Sequence, residues 1–366
     1  MRWVLAFGWL LPACAKDPEP KAGCTGNAVC IIAGTGDLGF NGDDLPATET
    51  RLASPSAVYE GPDGQPIIVD YSNMRVRAVD DDGMIRTLVG NGFHAYSEPG
   101  VHPLDSPLEN PVDIGWNAAG QLCVLPQHEG RVVCVEDDQI IPFAGTGEIA
   151  DGGDGGSALE ATMGYGSGMV FAEDGTLYIS DATHSKIRRV NTDGIIETVL
   201  GTGAAGDDTL GIGPETSFRF PERIALDEEN HRLIVADTHN NRVLALDIDT
   251  LEVSLVAGTG ESGFSGDGGP GTTAQLHLPV GVAVGPDGGV LIADTRNHVL
   301  RHVNADGTID TVLGTGSTTA STSPDTPLQF SLLGPAGMAW TAEGDLLIAE
   351  QLGQRILKAR NLWDAL

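Results

Sequence analysis

The feature that most constrains this chain is an internal repeat of about 56 residues. Gly-Thr-Gly, or Gly-Asn-Gly in one copy, recurs with spacings of 56, 55, 56, 57 and 56 residues. The copies begin at Gly34, Gly90, Gly145, Gly201, Gly258 and Gly314. Such regularity is typical of a fold that stacks one structural unit against copies of itself, and it predicts six equivalent units.

Two further markers follow each Gly-Thr-Gly. The first is a proline, replaced once by glycine, at Pro55, Pro111, Gly166, Pro221, Pro279 and Pro335. The second is an acidic residue after an apolar pair, at Asp70, Asp181, Asp237, Asp294 and Glu350. Pro126 stands where the second copy should carry its acid, so the second copy is the degenerate one.

Each unit reads as four short strands. The fifth copy shows four apolar segments, broken twice by Asp-Gly turns, at 280–284, 290–293, 299–303 and 309–313. This pattern is typical of an antiparallel meander. A single four-stranded sheet buries too little apolar surface alone and packs face to face with others in a ring. The predicted fold class is therefore all-β, a six-bladed β-propeller that spans residues 28–366.

The two ends of the repeat region predict how the ring closes. The sixth copy stops before its fourth strand, whereas residues 28–36 match the end of a unit. We expect this N-terminal segment to complete the last blade and so remove an open sheet edge.

These repeats resemble the NHL-repeat propellers. Residues 236–243 and 293–303 look like the core of that repeat, and residues 258–270 are similar to its long bacterial version. The resemblance covers residues 28–360 and implies the same six-bladed fold. It implies little about activity, because NHL relatives bind proteins or RNA, and a few relatives are enzymes.

The first residues predict export. An apolar run at residues 3–11 suits a signal peptide, and Leu11-Pro12-Ala13-Cys14 resembles a bacterial lipobox. Residues 1–13 are therefore predicted to be a lipoprotein signal peptide, Cys14 the lipidated residue and 14–27 a tether. An ordinary secretory signal is the alternative. The expected location is the bacterial outer membrane or cell surface, facing the periplasm or the exterior.

Cysteine count fits an oxidising compartment, because four of the five cysteines remain after Cys14. We expect two disulfides, Cys24–Cys30 and Cys123–Cys134, with buried free thiols as the alternative. No Cys-x-x-Cys pair or cysteine–histidine cluster has the spacing of a zinc site, so no metal site and no cofactor are predicted.

Charge excludes one class of partner. The formal net charge is −31, and so acidic a surface repels nucleic acid. We interpret the recurring blade acids as structural, facing a cation five residues later. Those cations are Arg75, Lys186, Arg242 and Arg355. The Gly-Asp turns near residues 42, 153, 206 and 266 suit turn formation better than calcium binding, since they lack an EF-hand ladder.

Departures from the repeat identify the candidate site. Small residues begin the first strand of four copies, where strands converge on the axis, at Ala57, Gly168, Gly281 and Gly337. The second and fourth copies instead carry Asp113 and Arg223, the latter beside Glu222. We expect these three residues to bind a ligand or ion at the axis. The alternative is that they turn outward into solvent.

The sequence favours a non-catalytic, monomeric scaffold that recognises a protein or polysaccharide in the envelope and is tethered to the membrane by its lipid. No Gly-x-Ser-x-Gly elbow or paired acid and base is present, and the histidines form no ring. The alternative is a metal-dependent, lactonase-like hydrolase or lyase with an axial site.

Overall fold

A computed structural model describes residues 28–207, 210–322 and 325–363, and these residues form six sheets. Strand β1 (Val29–Ala33) and the two-residue β2 (Leu45–Pro46) precede the first complete blade. Blade 1 then contains β3 (Ala57–Glu60), β4 (Pro66–Asp70), β5 (Arg75–Val79) and β6 (Met84–Val89). Blade 2 contains β7 (Pro111–Trp116), β8 (Leu122–Pro126), β9 (Val132–Glu136) and β10 (Gln139–Ala144). Blade 3 contains β11 (Gly166–Phe171), β12 (Leu177–Asp181), β13 (Lys186–Val190) and β14 (Ile196–Leu200).

The remaining blades repeat this order. Blade 4 contains β15 (Pro221–Asp227), β16 (Arg232–Asp237), β17 (Arg242–Asp247) and β18 (Val253–Ala257). The short β19 (Gly269–Pro270) precedes blade 5, which contains β20 (Pro279–Val284), β21 (Val290–Asp294), β22 (Val299–Val303) and β23 (Thr308–Leu313). Blade 6 contains β24 (Pro335–Trp340), β25 (Leu346–Glu350) and β26 (Arg355–Ala359). Short strands β2 and β19 extend the outer edges of blades 1 and 5.

The helical segments of the described chain are three-residue 3-10 turns. They span Ala47–Glu49, Tyr71–Asn73, Ala158–Glu160, Gly213–Glu215, Thr238–Asn240, Gly271–Thr273, Thr295–Asn297 and Pro327–Gln329. Among the described residues, no helix has the length and apolar character needed to cross a membrane.

The ring is closed in the way the sequence predicts. The first strands β3, β7, β11, β15, β20 and β24 each contact the next around the axis, and β24 contacts β3. Strand β1 pairs antiparallel with β26, with Val29 opposite Ala359 and Ile31 opposite Leu357. The N-terminal strand therefore supplies the fourth strand of the last blade. The protein is a six-bladed β-propeller.

The core is divided among the six interfaces between blades. Each interface holds its own cluster of buried apolar side chains, such as the one that joins Ile234 of blade 4 to Ile292 of blade 5. Val29 lies in the cluster between blades 5 and 6, so the closing strand also contributes to packing. Burial of each such side chain stabilises the fold by roughly 1.5–3 kcal/mol.

Close contact between first strands explains the small residues near the axis. A Cβ atom placed on Gly168 would lie 2.9 Å from the Glu222 carbonyl oxygen, and one placed on Gly337 would lie 2.8 Å from the Ala57 Cα atom. Both neighbours are backbone atoms and cannot move aside. Glycine is therefore required at these positions by the approach of the next blade.

The blade acids are structural, as predicted. Each accepts a hydrogen bond from the backbone N–H two residues before the proline marker, for example Ala53 to Asp70 at 2.8 Å. The same bond joins Gly164 to Asp181, Arg219 to Asp237, His277 to Asp294 and Leu333 to Glu350. Each acid thus fixes the entry to its own blade.

The predicted cation five residues after each acid is correct in only two blades. Asp237 pairs with Arg242 and Glu350 with Arg355. Asp70 instead pairs with Arg77 at 3.4 Å, because Arg75 packs over the Phe40 ring and donates to two carbonyl groups. Lys186 pairs with Asp151. Local packing decides which cation reaches the acid.

The Gly-Asp turns have a partner that the sequence did not indicate. Three fully buried arginines on the third strands pair with turn carboxylates: Arg77 with Asp43, Arg188 with Asp154 and Arg301 with Asp267. Each turn is thereby held against its blade by a buried guanidinium group.

The cysteine predictions can be followed for three residues. Cys123 and Cys134 face each other on β8 and β9 and form a disulfide, as predicted. Cys30 is also disulfide-bonded, whereas its predicted partner Cys24 and the predicted lipidation site Cys14 lie outside the described residues.

Candidate functional site at the propeller axis

Asp113 and Arg223 face each other in the centre of the ring. Asp113 lies on β7 of blade 2 and Arg223 on β15 of blade 4, with exposed fractions of 1% and 4%. The distance from Arg223 Nη1 to Asp113 Oδ1 is 2.7 Å. The two charged departures from the repeat therefore neutralise each other. They do not turn outward into solvent.

Other groups complete this axial ion pair. The Tyr59 hydroxyl donates to Asp113 Oδ1 at 2.7 Å, and the Met169 N–H donates to Oδ2 at 2.9 Å. Arg223 Nη2 donates to the carbonyl groups of Ser56 at 2.8 Å and Val112 at 2.7 Å. One network thus joins blades 1, 2, 3 and 4 across the axis.

Electrostatics keep the Arg223 guanidinium group charged. Burial opposes the charge on Arg223, but Asp113 and neighbouring groups outweigh it, so the pKa of the guanidinium group is raised. Burial first, and then the Asp113 carboxylate, raise the pKa of Tyr59 well above its ordinary value. Tyr59 therefore stays a neutral hydrogen-bond donor at neutral pH.

An apolar cavity lies directly beside the ion pair. Its volume is about 340 Å³, and we call it the axial cavity. Its lining includes Tyr59, Trp116, Phe171, Arg223, Leu226 and Val284. Trp116, Phe171 and Val284 are the last residues of the first strands β7, β11 and β20, so the cavity lies toward the short hairpins that join first and second strands. Arg223 and Tyr59 supply its polar groups, and aliphatic and aromatic side chains supply most of the rest.

Glu222 lies apart from the pair, nearer the start of β15. It is partly exposed and makes no ion pair among the described residues. Burial raises the pKa of Glu222 to about 7, although the nearby Arg223 opposes the shift. Burial first, and then the negative charges of Glu222 and Glu109, raise the pKa of Tyr71. Glu109 is therefore a second acidic group near this end of the axis. The three candidate residues therefore form one ion pair, Asp113 with Arg223, and one separate carboxyl group, that of Glu222.

Near that end, blade 2 brings together three residues that sequence reasoning missed. His94 Nε2 lies 2.7 Å from Glu109 Oε1, and His128 Nδ1 lies 3.2 Å from the same oxygen. The three ligand atoms lie within 4.8 Å of one another. Two imidazoles and one carboxylate are a donor set that a metal ion can use, whereas the sequence predicted no metal site. We call this group the blade-2 cluster.

The sequence marked blade 2 as unusual but did not indicate which residues form the blade-2 cluster. His94 and Glu109 belong to the long connection into blade 2, and His128 follows β8 two residues after Pro126. Their separation of 34 residues from first to last matches no metal motif. The missing acid at Pro126 marked this blade as unusual, and only the fold shows which residues meet there.

The family relationship follows from sequence comparison. A profile of the Teneurin NHL domain matches residues 124–209 and 216–332, more than half of the chain. The chain belongs to the NHL-repeat family. Among relatives of this NHL propeller, Teneurin-m of Drosophila melanogaster is 26% identical over 287 residues, which are 72% of this chain and 10% of Teneurin-m. The chain thus spans a small part of that relative.

Solved structures show the same fold as this NHL propeller. An auxiliary nutrient binding protein from Bacteroides thetaiotaomicron has a TM-score of 0.67 at 15% identity, covering 90% of this chain and 75% of its own. A gluconolactonase from Xanthomonas campestris has a TM-score of 0.56 at 12% identity, covering 84% and 86%. The fold of an NHL propeller is therefore shared by a binding protein and an enzyme.

Proposed function

We propose that this NHL propeller is a non-catalytic binding scaffold of the bacterial envelope, anchored by a lipid on Cys14. Its ligand, in this proposal, is a protein that inserts an apolar or aromatic side chain into the axial cavity. The observation that carries the proposal is the cavity itself. It has room for such a side chain, and its walls are mostly apolar.

The charge of the chain supports a protein ligand with basic residues around the inserted side chain. The formal net charge is −31, so Lys and Arg on the partner are attracted over a wide area. A glycan would need more hydrogen-bonding groups than the largely apolar walls of the cavity supply. A basic, apolar segment fits both the cavity and the charge.

The axial contacts support a binding role over the lactonase-like alternative. Asp113 accepts hydrogen bonds through both carboxylate oxygens, and Arg223 donates to two carbonyl groups. An axial hydrolase or lyase needs carboxylates or imidazoles that are open to metal and substrate. Here Asp113, the carboxylate beside the axial cavity, is already occupied by groups of the protein.

A pair of Leu→Arg variants tests the cavity. Leu226 lines the cavity and is partly buried, whereas Leu159 is 54% exposed on the connection into blade 3. The probe is a random peptide library displayed on phage, followed by titration of the selected peptides. We expect wild type and Leu159→Arg to bind basic peptides with an aromatic residue, and Leu226→Arg to bind at least tenfold more weakly.

The result that would overturn the binding proposal is equal peptide affinity of the two variants. Selective binding to an oligosaccharide array, competed by no peptide, would instead indicate a glycan ligand. Turnover of lactones, lost on addition of a chelator, would support the enzymatic alternative.

The anchor has its own test. Incorporation of labelled palmitate into the chain, with recovery in the membrane fraction, is expected for the wild type in a bacterial host. Cys14→Ser should lose the label and appear in the soluble fraction. Unchanged labelling of Cys14→Ser would contradict lipidation at this residue and leave the cavity proposal unaffected.

A further inference from the structure

We infer that the blade-2 cluster is a binding site for a divalent transition metal ion of the Zn²⁺ class. The ligands are His94 Nε2, Glu109 Oε1 and His128 Nδ1. This site is separate from the axial cavity, and its occupancy does not depend on the proposed binding function.

The donor set has the right chemistry. Two neutral imidazole nitrogens and one carboxylate oxygen suit Zn²⁺ and its neighbours better than Ca²⁺ or Mg²⁺, which prefer oxygen ligands alone. Three protein ligands leave a fourth tetrahedral position open for water or for a group on a ligand.

The distances also fit. Metal bonds of 2.0–2.1 Å in a tetrahedron place neighbouring ligand atoms about 3.3 Å apart. The two distances to Glu109 Oε1 are 2.7 and 3.2 Å, with all three atoms inside 4.8 Å. Small side-chain shifts therefore suffice to open the hydrogen-bonded group around an ion.

Burial places the carboxylate where an ion would be held firmly. Glu109 is 8% exposed, and its carboxylate oxygen Oε1 contacts a ring nitrogen of each of the two histidines. His128 packs edge-on against the Tyr165 ring at 4.7 Å, which fixes one wall of the site. His94 has a half-exposed side chain, which leaves a path from solvent to the cluster.

The repeat itself serves as an internal control. A residue needed for the fold of every blade would recur at the equivalent position in the other copies, and these three do not recur together. The positions equivalent to His94 hold Leu38, Ile149, Ala205, Ser262 and Thr318. Those equivalent to Glu109 hold Ala53, Gly164, Arg219, His277 and Leu333. Those equivalent to His128 hold Ser72, Thr183, His239, Arg296 and Leu352.

The same comparison shows that blade 2 lacks one hydrogen bond of the other blades, the one to the blade acid. In the other five blades, the residue equivalent to Glu109 donates its N–H to the blade acid. Pro126 removes that acid, and Glu129 instead accepts from Ser97 and Arg131. A separate acid therefore braces the blade, and the side chains of Glu109 and His128 are available for another role.

Calorimetric titration of ZnCl₂ into the metal-free full chain tests the inference. We expect one site of micromolar or tighter affinity in the wild type. His94→Ala removes a half-exposed ligand without disturbing the core and should weaken that binding at least tenfold. The matched control is His231→Ala, because His231 is also exposed and also pairs with a carboxylate, Asp249, at 3.1 Å.

A second readout guards against adsorption to the acidic surface. Co²⁺ bound by three protein ligands in a tetrahedral site gives strong visible absorption, which scattered surface carboxylates do not produce. The absorption should appear with the wild type and His231→Ala and be absent with Glu109→Gln and His94→Ala. Equal Zn²⁺ affinity of His94→Ala and wild type, or no saturable binding, would overturn the inference.

Discussion

Removal of the Asp113 carboxylate provides the most direct test of the axial structure. Asp113→Asn keeps the size of the side chain but leaves the charge of Arg223, which is 4% exposed, without its partner. Either orientation of the new amide also directs its NH₂ group at a donor, since Tyr59 and Met169 donate to the two different oxygens. Breaking a buried pair in this way costs about 3–5 kcal/mol. Urea unfolding followed by tryptophan fluorescence measures the loss.

The reverse substitution should cost less. Arg223→Met removes the cation, but Asp113 keeps hydrogen bonds from Tyr59, Met169 and the Ile114 N–H. We expect a loss of about 1–3 kcal/mol. In the double variant no lone charge is buried, so its loss should fall below the sum of the single losses by more than about 1 kcal/mol.

A surface pair is the control for that cycle. Glu197 pairs with Arg189 at 2.7 Å, but the two side chains are 43% and 29% exposed. Glu197→Gln should therefore cost less than about 1 kcal/mol. A loss for Asp113→Asn no larger than that for Glu197→Gln, or two axial losses that simply add, would show that Asp113 and Arg223 do not form a strongly coupled buried ion pair.

Three further outcomes are expected. The pKa of Glu222 is raised from 4.5 to about 7, so ionisation of this carboxyl group destabilises the fold increasingly as the pH rises above 4.5. Glu222→Gln should therefore be more stable than wild type by up to about 3 kcal/mol at pH 8 and equally stable at pH 4. Urea unfolding at the two pH values measures the difference. Replacing Cys123 and Cys134, which are 11 residues apart, by alanine should cost about 2–3 kcal/mol, seen as a lower Tm. Gly337→Val should lower the Tm sharply and Gly211→Val should not, because only Gly337 faces backbone of the next blade within 3 Å.

Much of the fold could be predicted because the same pattern of strand and turn residues recurs in six copies. The period gave the number of blades, and the match between residues 28–36 and the ends of other copies gave the closing strand. The cation that meets Asp70 could not be predicted, because Arg75 and Arg77 point to the same side of β5. Both guanidinium groups also stack on the Phe40 ring, at 4.0 Å for Arg75 and 5.0 Å for Arg77, and only the folded structure shows that Arg75 donates to backbone carbonyl groups while Arg77 reaches Asp70.

The candidate site was only partly predictable for a related reason. Asp113 and Arg223 were visible as departures from the repeat, but their mutual contact depends on the distance across the ring between blades 2 and 4. His94, Glu109 and His128 meet because two connections converge at one end of blade 2. Contacts of this kind depend on tertiary geometry and leave no fixed spacing in the sequence.

The two groups of departures have different physical consequences. The polar atoms of Asp113 and Arg223 bind each other and backbone groups, so this pair stabilises the centre of the ring. Arg223 also lines the axial cavity. The blade-2 cluster holds a buried carboxylate between two imidazoles that have no equivalent set in the other blades. Substitution at the axis should therefore change stability first, whereas substitution of His94 should change metal binding and leave stability of the metal-free protein nearly constant. A departure from a repeat indicates function only where its polar atoms are not already used by the fold.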